Sequence, residues 1–425
     1  MIKKFAKKSV ILLAALTAGL SGFAGVANAQ TKIEYWHGNA ETQGGKAVTE
    51  LVEKFNASQD EVVVEPIFHE GLYVGLMQSL QTQAAAGEYP ALVQIGWAYR
   101  EYFATNFPFM PPADLIKEAG EDEGYLQTKF PEQMLNFATD FEGNQLGFPY
   151  SVSTAVVYVN TELAEEAGVN YEEIETWADL YEAAAKVHEA TGKYGLYTTE
   201  SNDNWSTQQI VETYGAETVT SEGTANFATE EGIQGLQDWA DSIESGATLH
   251  ASTDEGHQAF ISGDVAFLNT TIAQRTNVTE NAQFEAVAID LPSKNDGSGD
   301  RIVPPGGSML AVTGQDPEQR KAAWQFIKFL YEPDNIAIWT ANTGYLPPTA
   351  DATENADLKD LIENDQMFQT AYSHMEDLRP FASFPGNQGL QASDVYRDAR
   401  DKILNGQPAK DVLPKTQEQI NDMIK

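Results

Sequence analysis

Aromatic side chains stand at the ends of predicted strands and helices, where they could face a ligand. Trp36 and His37 end the first predicted strand, Tyr73 opens a helix, and Trp97 follows the third strand. An aromatic ring packs against the apolar CH face of a sugar or glycerol, and it attracts a quaternary ammonium group by cation–π contact. The alternative is that these rings belong to the hydrophobic core. Because ligands of open α/β sheets lie at the carboxyl ends of strands, the positions predict ligand contacts.

A glycine pair, Gly306 and Gly307, follows two prolines in the second half of the chain. Since glycine has no side chain, the backbone N–H groups of this pair could approach a ligand oxygen closely. Turns and hinges use glycine for the same conformational freedom. We predict that the pair contributes to a binding site, and a hinge is the alternative.

The sequence contains none of the residue patterns typical of enzymes or metal sites. There is no cysteine, so disulfides, thiolate metal sites and cysteine nucleophiles are excluded. The six histidines have no metal-ligand spacing such as H-E-x-x-H, and no nucleophile elbow, phosphate-binding loop or dinucleotide motif is present. With 63 acidic residues, carboxylate pairs arise by chance. We therefore expect no cofactor, no metal and no catalysis, and a secreted carbohydrate-active enzyme is the remote alternative.

The elements that would position these residues alternate between strand and helix. Short β-branched runs predict strands, and apolar residues three or four apart predict helices. In the first third, the predicted strands are residues 32–36, 62–68 and 91–95, and helices lie over 47–55 and 72–80. This alternation indicates an α/β protein whose parallel or mixed sheet has helices on both faces.

The remaining chain continues in the same way. Strands are predicted over 154–160, 265–269, 284–290 and within 302–313, and helices over 176–190, 229–243, 254–261 and 317–331, with a mainly helical tail from Glu354. A mature chain of about 395 residues exceeds what one hydrophobic core usually supports, so two lobes are expected. No Pro/Ser-rich linker is present, which predicts that strands join the lobes and allow hinge motion.

The first 29 residues are predicted to be a cleaved signal peptide. Four lysines precede an apolar run over residues 10–20, and Ala27, Asn28 and Ala29 form a small-x-small cleavage site. Removing these lysines lowers the formal charge from −37 to −41. Such a charge repels nucleic acid and anionic lipid surfaces. Because neither a later apolar span nor a lipid-accepting cysteine exists, we expect a periplasmic protein with no membrane anchor.

Several stretches together resemble the family 1 extracellular solute-binding proteins of ATP-driven importers. The similarity is nearest to the branch that binds glycerol-3-phosphate and glycerophosphodiesters. It spans the mature chain in consistent order, and it rests on residues 33–38, 71–73, 149–154, 158–160, 262–266, 306–308 and 343–347. The resemblance implies a monomer that captures a small-molecule solute and delivers it to the transmembrane permease subunits of an importer.

The resemblance also implies an architecture and further ligand contacts. Two α/β lobes would enclose the cleft, joined by crossing segments near 151–154, 306–308 and 335–343. Residues 30–150 plus 308–335 would form lobe one, and 151–307 plus 336–425 would form lobe two. Five positions match family ligand contacts: Ser153, Trp205, Thr270, Thr271 and Tyr345. The two threonines could instead cap the helix that follows them.

Two departures from the branch bear on the solute. Trp97 stands where the branch has an acid, and the branch arginine is missing from the segment 384–388. Losing a bidentate guanidinium removes the strongest available phosphate contact. Arg275 and Arg379 are candidate substitutes. We therefore predict a sugar or polyol as the solute, with glycerol-3-phosphate or a glycerophosphodiester as the alternative.

Overall fold

The computed structural model describes residues 30–296, 298–299 and 301–425, so the predicted signal peptide lies outside it. Two main sheets organise these residues. The first sheet has the strand order β2-β1-β3-β11-β4, and the second has the order β10-β5-β9-β6. The strands are β1 Thr31–His37, β2 Val62–Phe68, β3 Leu92–Gly96, β4 Phe148–Ser153, β5 Ala155–Asn160, β6 Tyr194–Thr198, β7 Glu217–Val219, β8 Ala225–Asn226, β9 Val265–Thr271, β10 Ala286–Ile289 and β11 Gly306–Val312.

Both sheets are mixed. In the first sheet β1 runs parallel to β2 and β3, whereas β11 runs antiparallel to β3 and β4. In the second, β6 is parallel to β9, and β5 is antiparallel to β9 and β10. Every residue of β5 is buried. A strand covered on both faces by side chains needs apolar residues at successive positions, which explains the continuous Ala-Val-Val-Tyr-Val run.

Helices cover both faces of the sheets. They are α1 Gly45–Ser58, α2 Leu72–Ala84, α3 Arg100–Asn106, α4 Pro112–Glu118, α5 Tyr125–Lys129, α6 Glu132–Phe137, α7 Thr161–Glu166, α8 Trp177–Thr191, α9 Trp205–Thr213, α10 Glu230–Glu244, α11 Thr253–Ile261, α12 Arg275–Asn281, α13 Pro317–Leu330, α14 Pro333–Thr343, α15 Ala356–Asn364, α16 Gln366–Ser373, α17 Gly389–Leu404 and α18 Ala409–Met423. No helix of the described residues is long and apolar enough to cross a bilayer.

Local sequence explains several helix ends. Thr176 and Asp179 form a capping box at the start of α8, and Gly192 ends that helix in the left-handed conformation. Ser252 and Glu255 form a second capping box at α11. These signals explain why the predictions over 176–190 and 254–261 lie within a residue of the observed bounds.

The chain passes between the sheets at two of the predicted places. β4 ends in the first sheet at Ser153, and β5 begins in the second at Ala155. The return occurs before Gly306, where β11 starts. At the third predicted crossing, near 335–343, the chain forms α14, which packs against α1 beside the first sheet. The residues after α14 lead to α16, which packs against β10 of the second sheet.

We call the units built on the first and second sheets lobe one and lobe two. Side chains from both contribute to one large buried cluster that includes Leu92 and Trp177. A smaller cluster, with Tyr158 and Phe260, lies on the other face of β5 in lobe two. The exact residue boundaries of the lobes stay a prediction.

Candidate ligand-binding cleft

A cavity of about 690 Å³ lies between the lobes and is lined from both sides. Its volume is within the usual range for small-molecule sites, roughly 300–1,000 Å³. Nine of the eleven sequence-predicted site residues line it: Tyr73, Trp97, Ser153, Trp205, Thr270, Thr271, Gly306, Gly307 and Tyr345. The fold therefore brings together residues that lie up to 272 positions apart in the sequence. Their contact with a ligand stays a prediction.

The lobe-one wall presents apolar side chains to this cavity. Phe68 is 48% exposed and Leu72 is 38% exposed, which makes them two of only five large apolar side chains exposed in the described residues. Leu72 also has a positive φ of 52°. Such a backbone conformation is unusual for a leucine and often occurs at functional sites. Exposed apolar surface inside a cleft is suited to contact with a ligand or with the opposite wall.

Tyr73 is packed tightly at the base of the same wall. Its ring lies so close to Gly96 that a Cβ on that glycine would come within 2.7 Å of it. Burial raises the pKa of Tyr73, while the hydroxyls of Ser308, Tyr345 and Ser151 oppose that rise. The Tyr73 hydroxyl therefore stays protonated at neutral pH and belongs to a group of buried hydroxyls at the base of the cavity.

Tyr345 is held by stacked rings. Its ring lies parallel to that of Trp339, with the centroids 5.6 Å apart. Trp339 stacks in turn on Tyr150, at 4.8 Å. This stack fixes the orientation of Tyr345 before any ligand arrives, which lowers the entropic cost of binding.

Two threonine side chains of lobe two lie within hydrogen-bonding distance of one histidine. His257 Nε2 lies 3.0 Å from Thr270 Oγ1 and 3.3 Å from Thr199 Oγ1. Burial lowers the pKa of His257 to about 4, so the ring is neutral at physiological pH. Neutral hydroxyls and imidazole can both donate and accept hydrogen bonds, as a hydroxyl-rich ligand requires.

At the base of the cleft the crossing strands contact lobe two. Thr271 Oγ1 donates to Ser153 Oγ over 2.9 Å. The same threonine accepts from the backbone N–H of Ala273 and caps the short 3₁₀-helix Ile272–Gln274, so the capping alternative holds for it. Gly306 and Gly307 lie opposite Ser153 and Val152 in the ladder. Side chains on these glycines would overlap Ser153 Oγ and the Ser151 carbonyl, so close strand packing explains the pair.

Trp97 and Trp205 line the cavity without offering a free ring face. Both are almost fully buried. The Trp97 indole donates to the Gly306 carbonyl over 3.2 Å, and that of Trp205 donates to the Pro304 carbonyl over 2.8 Å. Packing against Phe137 and the Gly306 carbonyl encloses most of the Trp97 ring, and its contact with a solute stays a prediction.

Trp36 and His37 do not line the cavity, which corrects their predicted placement. The Trp36 ring packs against His69 at a tilt of 44°, its indole N–H donates to Glu34, and it lines a separate depression of about 370 Å³ on lobe one. His37 lies in the core between the rings of Tyr35 and Phe68. Desolvation by burial lowers the pKa of His37 to about 4. Trp36 and His37 are successive residues on opposite faces of β1, so the pleat turns Trp36 toward His69 and His37 into the core, and neither ring lines the cavity.

The charged side chains that line the cavity are acidic. They are Glu70, Glu200, Asp203 and Asp254, and no described lysine or arginine joins them. Arg275 is bound to Asp365 at 2.6 Å, outside the lining. Arg379 donates to backbone carbonyls and is also outside it. Neither candidate substitute for the missing arginine therefore faces the cleft.

Sequence reasoning missed several lining residues. Phe68, Leu72 and His257 come from three different elements, and the loop at 199–203 adds five more residues. Phe68 ends a predicted strand in the same way as Trp36, so that position was a usable signal. Nothing local distinguished His257 from a surface histidine on its helix. No group of three metal-ligating side chains occurs in the part of the chain that the structure describes.

Comparisons with known proteins agree with this geometry. The family model described as bacterial extracellular solute-binding protein matches residues 50–368. The chain is 26% identical, over 82% of its length and 80% of the relative's, to the sn-glycerol-3-phosphate-binding periplasmic protein UgpB of Pectobacterium atrosepticum.

Solved structures of such proteins share the fold. UgpB from Mycobacterium tuberculosis in complex with glycerophosphocholine superposes with a TM-score of 0.80 at 20% identity, covering 93% of this chain and 98% of that one. The GacH receptor of Streptomyces glaucescens gives a TM-score of 0.79 at 19% identity, with 93% and 99% covered. The two-lobed α/β architecture is therefore established, and the chain belongs to the bacterial extracellular solute-binding proteins.

Proposed function

We propose that this chain is the periplasmic substrate-binding component of an ABC importer and that it captures a small polyhydroxylated solute, a sugar or a polyol. The supporting observation is the composition of the cavity wall. It combines hydroxyls, a neutral imidazole and apolar side chains, and no described residue that lines it is a lysine or an arginine. Fixed hydrogen-bonding groups in a mostly apolar cleft are typical of sites for neutral polar ligands.

The alternative solute is sn-glycerol-3-phosphate or a glycerophosphodiester. Two similar proteins favour it: the UgpB of Pectobacterium atrosepticum is a glycerol-3-phosphate-binding protein, and the UgpB of Mycobacterium tuberculosis was solved in complex with glycerophosphocholine. It is opposed by the charge of the wall, because a phosphate would meet carboxylates such as Asp203 and Asp254 without a guanidinium partner. Electrostatics therefore favour the neutral solute.

Binding would act through closure of the lobes. A solute that touches Tyr345 at the base and the walls of both lobes stabilises the closed state by its greater affinity for that state. Closure would also remove the exposed Phe68 and Leu72 from water, which contributes roughly 25 cal/mol per Å² of apolar surface covered. The closed form would then dock on the permease as a monomer.

Isothermal titration calorimetry tests the solute class. The purified mature protein is titrated with glucose, maltose, glycerol, sn-glycerol-3-phosphate and glycerophosphocholine. We expect 1:1 binding of a neutral solute and weaker or no binding of both phosphate compounds. Binding of the phosphate compounds alone would establish the alternative. Chromatography of the solutes after incubation should return them unchanged, and a new product would indicate an enzyme.

Fractionation tests the location. The full chain expressed in a Gram-negative cell should appear in the periplasmic extract with residues 1–29 removed, and N-terminal sequencing should start at Gln30. Full-length protein retained in the membrane fraction would contradict the absence of an anchor.

A further inference from the structure

One loop supplies much of the lobe-two wall. Residues 199–204, which we call the cleft loop, connect β6 to α9, and five of its six residues line the cavity. Inside the loop, Asp203 Oδ1 accepts from Ser201 Oγ at 2.7 Å and from the Trp205 backbone N–H at 3.1 Å. A loop without a ladder must find other partners for its remaining backbone groups.

Helix α17 provides those partners. Arg400 Nη1 donates to the Ser201 carbonyl over 2.8 Å, and Arg397 Nη1 donates to the Asn202 carbonyl over 2.9 Å. Asn204 Nδ2 donates to the carbonyl and hydroxyl oxygens of Ser393, both at 3.0 Å. Positions 393, 397 and 400 lie on one face of a helix. This face therefore holds three of the six loop residues from behind the cavity.

Arg400 is the more deeply buried of the two arginines that hold the loop. The residue is only 3% exposed, and its Nη2 and Nε also donate to one oxygen of Asp401, Oδ1, at 2.7 and 2.9 Å. The Arg397 side chain is 26% exposed. Hydrogen bonds from a buried charged donor are stronger than those in solvent, so Arg400 contributes most to the position of the loop.

The charge of Arg400 also acts on the wall itself. Burial raises the pKa of Asp203 and of Glu200, and the positive charge of Arg400 opposes both rises. A cation that does not line the cavity therefore lowers the pKa of two carboxylates that do line it, against the larger effect of burial. Removing that cation would change the geometry and the charge of the wall together.

We propose that Arg400 is a positioning residue for solute binding, because it fixes the cleft loop in the conformation that lines the cavity. The expected effect on solute affinity rests on the proposed function, because the solute class comes from it. The effect on the loop itself does not depend on which solute binds. The role is indirect, since Arg400 reaches the cavity only through the Ser201 carbonyl and the carboxylates of the loop.

Hydrogen exchange of the unliganded protein tests the loop, and calorimetry tests binding. The first variant is Arg400→Met, which keeps a long side chain but removes its charge. The second is Arg400→Lys, which keeps the charge but lacks the several N–H donors of a guanidinium. Arg320→Met is the matched control, because Arg320 also pairs with a carboxylate but lies on α13 of lobe one, outside the cavity. Each protein is titrated with glucose, maltose and glycerol.

We expect the amides of Thr199 and Trp205, both hydrogen-bonded in the structure, to exchange at least ten times faster in Arg400→Met. The lysine variant should lie between, and Arg320→Met should leave this segment unchanged. Affinity for the neutral solute that binds the unaltered protein should fall about tenfold in Arg400→Met. Unchanged exchange in the loop, or equal acceleration across both lobes, would overturn the proposal. If none of the three solutes binds the unaltered protein, the proposed solute class is wrong while the exchange result still decides the role of Arg400.

Discussion

The indole nitrogens of Trp97 and Trp205 donate to carbonyls only two residues apart, those of Gly306 and Pro304. Trp97 follows β3 in lobe one, whereas Trp205 opens α9 in lobe two. The segment that returns from lobe two to lobe one is therefore held by one tryptophan from each lobe. This arrangement links the hinge directly to both walls of the cleft.

Replacing either tryptophan by phenylalanine should weaken this hinge. Each variant removes the indole donor of a carbonyl that is partly buried at Gly306 and buried at Pro304, which costs about 1–3 kcal/mol beyond the smaller loss of ring volume. Urea unfolding measures the change. Trp177→Phe is the control, because its fully buried indole N–H has no hydrogen-bond partner among the described residues. Equal losses in Trp97→Phe, Trp205→Phe and Trp177→Phe would show that the carbonyl contacts contribute nothing.

Gly307→Ala should destabilise the protein strongly. Its φ of 109° disfavours a side chain, and a Cβ would overlap the Ser151 carbonyl on the adjacent strand. Strain and overlap together predict a loss of about 2–6 kcal/mol in the free energy of unfolding. Gly143→Ala separates the two causes, since φ is 87° there and nothing lies within 4 Å of the added Cβ. A similar loss in both variants would attribute the effect to backbone strain alone.

Tyr345→Phe should reduce solute affinity without affecting stability much. The ring stack on Trp339 is retained, and only a hydroxyl at the base of the cavity is lost. One neutral hydrogen bond is worth about 0.5–1.5 kcal/mol, so the dissociation constant should rise roughly 2- to 13-fold. Calorimetry with the sugar or polyol that binds best measures this. Tyr194→Phe, on the exposed surface, should leave the constant unchanged.

A new cation in the cavity should shift the preference toward phosphate. Gln274 lines the cavity and ends the short 3₁₀-helix that Thr271 caps. In Gln274→Arg, a guanidinium can pair with a phosphate in two-pronged geometry, so affinity for sn-glycerol-3-phosphate should rise about tenfold. Gln283→Arg adds the same charge on the exposed surface of lobe two. Equal gains in both variants would mean that net charge, and not the cavity, controls phosphate binding.

The stability of lobe one should depend on the protonation of Glu101. Burial raises its pKa to about 7 from an ordinary value of 4.5, and the Arg100 guanidinium opposes that rise. The folded state then retains a proton that the unfolded chain releases, so this contribution is present below pH 4.5 and is lost as pH rises through 7. Relative to Glu101→Gln, the wild type should become less stable between pH 4.5 and 8 in urea unfolding. A difference that stays constant with pH would contradict the buried carboxyl.

Much of the fold followed from local patterns. The alternation of β-branched strands and amphipathic helices predicted an α/β protein, and two predicted helices lie within a residue of α8 and α11, which both begin at capping boxes. The third predicted crossing, near residues 335–343, is the helix α14, which packs on α1 beside lobe one, and the chain reaches α16 of lobe two after it. Their sequence has no signal that separates a helix beside a lobe from a segment between lobes.

The sequence by itself determined composition, element order and the chain positions at which strands end. Tertiary structure decided which side chains at those ends face the cleft. Trp36 and Tyr73 both stand at such ends, yet only Tyr73 lines the cavity, because the pleat of β1 and its pairing with β2 and β3 turn Trp36 toward His69. Arg400 is the converse case, since an arginine near the C-terminus reaches the cleft loop only after α17 packs behind it. Local sequence fixes which face of a strand or helix a residue occupies, and only packing between distant elements fixes what that face meets.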